Sequence, residues 1–215
     1  MNLFNFNEAV MIAAALISFI LSLIHRKKFK SLRYIGLYPL ASLLQILIFH
    51  NFSSLKIINS TVSIFLSLEF AIIYHFFFQI ILSEKLKKGL RILCLGFLIY
   101  LLYMWIFTNS FFERPEKIYV VQSLFILIPC FFYFAQLFTI PPTIRLIESP
   151  IFWITTGCLF FFSCTAPVFY VYTILNLLGE FDILYWIILI AYSIFFICIA
   201  KAFLCKPIQI EDMVL

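Results

Sequence analysis

The chain has 215 residues, 65% apolar and 12% charged, with a formal net charge of +5 and a mean hydropathy of +1.11. A soluble domain is roughly 45–50% apolar and about 25% charged, so water is not the main solvent of this protein. Its basic residues stand in short clusters beside apolar runs rather than on a polar domain, which excludes a nucleic-acid partner and makes the lipid bilayer the expected surroundings.

A hydrocarbon core of about 30 Å takes some 20 residues of helix, and backbone groups in lipid must be satisfied within the segment. The alternating pattern of an outer-membrane barrel is absent. The expected fold is therefore all-α, a polytopic seven-helix membrane bundle forming a single integral-membrane domain over 1–215. The predicted spans are 4–24, 34–52, 58–82, 89–108, 118–140, 150–175 and 182–205.

The first span lacks a basic leader and is followed by Arg26, Lys27 and Lys28, so it reads as an uncleaved span and not a signal peptide. Within it Ala14, Ser18 and Ser22 recur every four residues, a small-residue face suited to close helix packing. The second span carries Pro39 and His50 near its ends and Gln45 inside. The third holds Glu69 near its centre, with Tyr74, His75 and Gln79 further along. Ser60, Ser63, Ser67, Ala71 and Tyr74 share one face of that helix, whereas Glu69 points about 120° away from His75, among Phe65, Ile72, Ile73 and Phe76. The fourth span closes with Trp105. The fifth carries Gln122 and Pro129, the sixth Trp153, Gly157 and Pro167, and the seventh opens with Tyr185 and Trp186. All three tryptophans thus fall near predicted membrane interfaces, where amphipathic rings are favoured.

Placing the amino terminus outside puts Arg26, Lys27, Lys28, Lys30, Arg33, Lys85, Lys87, Lys88, Arg91, Arg145, Lys201 and Lys206 on the cytoplasmic side. Only Lys56, Arg114 and Lys117 remain outside. Positive loops are retained in the cytoplasm, so the expected orientation is N-out and C-in in the plasma membrane, the inner membrane of a bacterium. Cys94, Cys130, Cys158, Cys164, Cys198 and Cys205 all lie within spans or at their inner ends, so no disulfide framework is expected. The tail from Lys206 is too short to fold alone, and no soluble domain is expected.

Ionisable groups at membrane depth are costly, which makes Glu69, His75, Gln45, Gln122 and Tyr74 the candidate intramembrane polar site. Two readings of Glu69 stand: a protonated carboxyl hydrogen-bonded to Gln45, Gln122 or a serine of another helix, or a ligand, ion or proton site. Gln45 and Gln122 lie toward the outer half and are placed to converge with Glu69 on a cavity among spans two, three, five and six. Pro129 and Pro167 each remove a helical hydrogen bond near mid-membrane and are candidate kinks. Glu8 and His50 near the outer boundary and His25 at the inner one read as solvated.

No cofactor or metal site is expected, because the histidines are His25, His50 and His75 only and form no HExxH pair. No Gly-flanked serine nucleophile stands near His75, so the chain is not read as an enzyme, with an intramembrane hydrolase as the residual alternative. A retinal pigment needs a lysine midway along the last span, whereas Lys201 lies near its inner end. A carrier built from two matching three-helix repeats would show paired prolines, and the first span has none to match Pro129.

The stretch Glu148-Ser149-Pro150-Ile151-Phe152-Trp153-Ile154-Thr155-Thr156-Gly157, followed by Phe160-Phe161-Phe162 and Pro167, resembles the small seven-helix bacterial membrane proteins that look like the transmembrane sensor region of histidine kinases. The resemblance extends to the layout of the whole chain. It implies a sensory or accessory subunit acting through a separate partner protein, since no kinase or cyclase sequence follows Leu204, and it brings no binding residues with it. A small-solute or proton-coupled transporter is the alternative.

Overall fold

The computed structural model describes residues 3–29, 32, 34–51, 55–107, 115–139, 146–175 and 182–205. Among these the regular structure is entirely helical: α1 (Leu3–His25), α2 (Leu37–Asn51), α3 (Leu55–Ile80), α4 (Glu84–Phe107), α5 (Pro115–Thr139), α6 (Pro150–Leu175) and α7 (Asp182–Leu204), with a single 3-10 turn at Leu146–Glu148. Six of them, all but α2, are long and apolar enough to cross a membrane. The chain is a multi-pass membrane protein.

The helices differ from the predicted spans mainly at their starts. Helix α4 begins at Glu84 rather than 89, because a backbone ladder does not require apolar side chains. Its polar first turn is closed by the Lys87–Glu84 ion pair at 2.9 Å and by Lys87 N–H donating to Ser83 C=O at 2.9 Å. Pro115 opens α5, where a proline's missing N–H costs nothing.

The larger departure is α2. It starts at Leu37 instead of 34 and has 15 residues, about 22 Å of helix, short of the hydrocarbon thickness. The described residues before it form a strap of tight turns with a three-residue rhythm. Leu32 N–H donates to Phe29 C=O (3.2 Å), Ile35 N–H to Leu32 C=O (3.1 Å) and Tyr38 N–H to Ile35 C=O (3.1 Å). Three-residue spacing stacks these side chains on one line, and Phe29, Leu32, Ile35 and Tyr38 are all buried. Apolar content alone cannot distinguish this strap from the first turns of a helix.

Helices α1, α7, α6, α5, α3 and α2 pack in that order, and α2 returns to α1, closing a ring of six. Small residues set the closest approaches. Ser18 Oγ lies 2.6 Å from Phe196 C=O on α7 and 2.7 Å from Ala14 C=O, so its one proton joins α1 to α7 or to its own helix. A methyl added at Gly36 would sit 2.6 Å from Ser22 Cβ, and one at Gly157 would sit 2.8 Å from Cys198 Cβ. The strap and α1 therefore meet backbone to side chain, as do α6 and α7.

Helix α4 stands outside the ring, against α5 and to a lesser extent α3. Its buried residues, Leu90, Phe97 and Met104, are spaced by seven, a narrow seam of the kind one helix presents to a single groove. The rest of α4 shows Ile92, Leu95, Leu98, Ile99, Leu102 and Ile106 outward, the apolar surface lipid requires. The interior of the ring is aromatic. Tyr38 reaches across from α2 to Phe195 on α7 (5.0 Å between centroids, edge-on), Phe195 stacks on Phe161 of α6 (5.3 Å, 13°), and Phe161 contacts Tyr192 (4.4 Å).

Candidate functional site

Glu69 projects from the middle of α3 into this interior and is completely buried. Its neighbour from α2 is Ser42, one helical turn after Tyr38, and Ser42 Oγ–H donates to Glu69 Oε1 at 3.2 Å, with Tyr38 C=O the alternative acceptor at 3.2 Å. Glu69 Oε2 has no hydrogen-bond partner among the described residues. The hydroxyl of Tyr38 lies against the same carboxyl without completing a hydrogen bond of good geometry, and it too has no other partner there. Tyr119 on α5 and Tyr192 on α7 are close enough to interact electrostatically with Glu69, and Cys158 on α6 with Tyr38. Every helix of the ring except α1 thus has a titratable side chain within electrostatic reach of Glu69 or Tyr38, and no lysine, arginine or histidine is among them.

A second polar set adjoins it. Tyr119 Oη and Thr165 Oγ1 are 2.7 Å apart, Thr165 also lies 2.7 Å from Phe161 C=O, and Ser123 donates to Tyr119 C=O at 2.8 Å. Gln122, one turn along α5 from Tyr119, is fully buried, and both its amide oxygen and its amide nitrogen lack partners among the described residues. Leaving a buried donor or acceptor unpaired costs about 1–3 kcal/mol for each group. The interior is therefore held short of full polar satisfaction at Glu69, Tyr38 and Gln122 together.

The remaining predicted residues lie elsewhere. His75 is exposed on the far side of α3, with Nε2 2.9 Å from Gln79 Nε2 and its ring edge-on to Tyr34 at 4.9 Å. Tyr74 is buried against the α4 side, stacked on Phe70 at 4.4 Å, which in turn meets Phe97 at 4.0 Å. Gln45 is half-buried on α2, on the same helical face as Tyr38 and Ser42 and one turn further along. Pro129 is buried in α5 and Pro167 is exposed on α6, each inside a continuous helix. The side chain of His50 and the tail from Lys206 lie outside the described residues, as do Lys30, Arg33, Arg114 and Arg145. Glu8 accepts a hydrogen bond from Tyr185 Oη at 2.8 Å, joining α1 to α7.

Tyr38, Ser42, Tyr119 and Tyr192 carry no signal as site residues when read singly, because Tyr38 and Tyr119 near span starts read as interfacial anchors, Tyr192 as one more core aromatic and Ser42 as a packing residue. The spacing of Tyr38 and Ser42 by one turn is the usable clue, since it aims both hydroxyls at one neighbour. All six cysteines are free thiols, and no group of three or more His, Cys, Asp or Glu side chains suited to a metal occurs among the described residues. A cleft of about 70 Å³ lies at the ring's rim, lined by Phe19, Ser22, Leu23, Arg26, Tyr34, Gly36 and Leu37, away from Glu69. Comparison with protein families, curated proteins and solved structures found no match to any of the three.

Proposed function

We propose that this protein is a seven-span sensory or accessory subunit of the plasma membrane, or of a bacterial inner membrane, oriented N-out and C-in, whose output passes to a separate partner protein. The observation that carries the reading is the coupling of Glu69 to α2. The buried carboxyl's one hydrogen-bonded partner among the described residues, Ser42, sits on the shortest helix of the ring, and that helix follows the strap at Phe29, Leu32 and Ile35. A change at Glu69 therefore has a short physical route to the turn that carries Arg26, Lys27 and Lys28, which the charge distribution places in the cytoplasm. Helix α2 together with the strap supplies the seventh crossing.

Purification in mild detergent tests the proposal. A partner recovered in fixed ratio to this chain, and lost when Arg26, Lys27 and Lys28 are replaced by glutamine, is the expected result. Recovery of the bare protein under conditions that keep it folded would refute it. The carrier alternative draws on the same buried carboxyl, because intramembrane acids serve proton pathways. It requires that reconstituted vesicles accumulate a solute or dissipate a proton gradient in a Glu69-dependent way.

A further inference from the structure

Among the described residues the interior of the ring carries one carboxyl and no cationic side chain to balance it. The groups facing Glu69 are Ser42 and Tyr38 from α2, Tyr119 from α5 and Tyr192 from α7, with Cys158 of α6 beside Tyr38. All are neutral in their protonated forms. An unpaired charge in a low-dielectric interior is costly, so neutrality calls for one positive charge and no more, and a divalent ion would only invert the imbalance. A metal ion also needs a shell of several oxygens, whereas Glu69 Oε1 has one hydroxyl at 3.2 Å and Oε2 has none among the described residues. A proton needs a single bond.

We propose that Glu69 is a reversible proton-binding site whose occupancy sets the seating of α2. In the loaded state a proton delivered from water forms an O–H bond at Oε2, the carboxyl becomes neutral, and that O–H donates to the otherwise unpartnered hydroxyl oxygen of Tyr38. On release the proton returns to water, the charge on Glu69 goes from zero to minus one, and both α2 hydroxyls turn to donate to the carboxylate. Charge-assisted hydrogen bonds are shorter and about twice as strong as neutral ones, so the ionised state draws α2 toward α3. Tyr38 and Ser42 are positioning residues in this scheme. Their helix is the shortest of the ring, and the turns before it connect it to Phe29, which packs edge-on against Phe203 at 5.8 Å. The proposal needs the chain to span a membrane and needs no partner protein, so it stands or falls apart from the output assigned above.

Infrared spectroscopy of the reconstituted full chain across a pH series provides the test, read together with amide hydrogen exchange over 29–51. The wild type should show a protonated-carboxyl C=O band that disappears with a one-proton titration, and α2 exchange should change with the same midpoint. Glu69→Gln should lose the band and the pH dependence of exchange together. Tyr38→Phe should keep the band but uncouple it from exchange. Ser42→Ala, which leaves the carboxyl in place, should move the band's frequency, and this reading survives if Glu69→Gln fails to fold. A band that persists unchanged at every pH, a frequency indifferent to Ser42→Ala, or removal of the band by sodium at constant pH would each overturn the proposal, the last by showing an alkali ion as the occupant.

Discussion

Replacing Gly157 by alanine places a methyl 2.8 Å from Cys198 Cβ and 2.9 Å from Phe195 Cδ2. Carbon atoms rest at about 3.5–4.0 Å, so α6 and α7 must separate by roughly 0.7 Å or more, or Phe195 must turn away. Phe195 is not free to turn, being fully buried, stacked on Phe161 and edge-on to Tyr38. Overpacking of this kind costs about 1–3 kcal/mol, and because α6 and α7 share the most extensive contact in the ring the loss should appear as lower global stability. The assay is thermal unfolding in detergent, followed by a thiol-reactive dye that reports exposure of Cys130 and Cys158, both fully buried in the native protein. Gly89→Ala is the matched control. It is a helical glycine with nothing within 4 Å, so alanine there should leave stability unchanged or raise it by up to ~1 kcal/mol. If Gly157→Ala melts with the wild type, or Gly89→Ala falls as far, the α6–α7 packing described above is wrong.

At Gly36 an added methyl meets Ser22 Cβ and Oγ, both at 2.6 Å, so Gly36→Ala should destabilise by about 1–3 kcal/mol and Ser22→Gly in the same chain should restore most of it, measured by the same melting assay. Ser18→Ala removes the hydroxyl that reaches Phe196 C=O and should cost about 0.6 kcal/mol, with ~1.7 as an upper bound for hydrogen bonds between membrane helices, as read in unfolding titrations. Gln122→Leu replaces an amide with both polar atoms unpartnered by an apolar group of similar volume and should raise the unfolding free energy by roughly 1 kcal/mol. A fall of that size instead would mean that Gln122 is satisfied by a bound guest.

Most of the helical layout is legible because lipid leaves the backbone one economical solution, so an apolar run of sufficient length is already a helix. The starts of α2 and α4 are less legible, for opposite reasons. At Glu84 the hydrogen-bond ladder extends into polar sequence, whereas around Ile35 an apolar stretch is spent on three-residue turns. Glu69 stands out in the sequence as a carboxyl among phenylalanines and isoleucines, and Gln122 as an amide at membrane depth. Their surroundings do not stand out. Ring order is decided by which small residues let backbones approach, as at Gly157 and Ser18, and hydropathy carries no information about neighbours. Placing α2 rather than α4 beside Glu69 follows from that order, and it is what brings Tyr38 and Ser42 to the carboxyl while His75 turns away toward Tyr34.

In the proposed topology α2 and its strap complete a seventh crossing, which makes the number of passages odd. Reporters fused to the two ends of the chain, one active only outside the membrane and one only inside, measure this parity directly. An external amino terminus and an internal carboxyl terminus are the expected result. Both ends in one compartment would mean that α2 does not cross, and would remove the inward route from Glu69 through the strap.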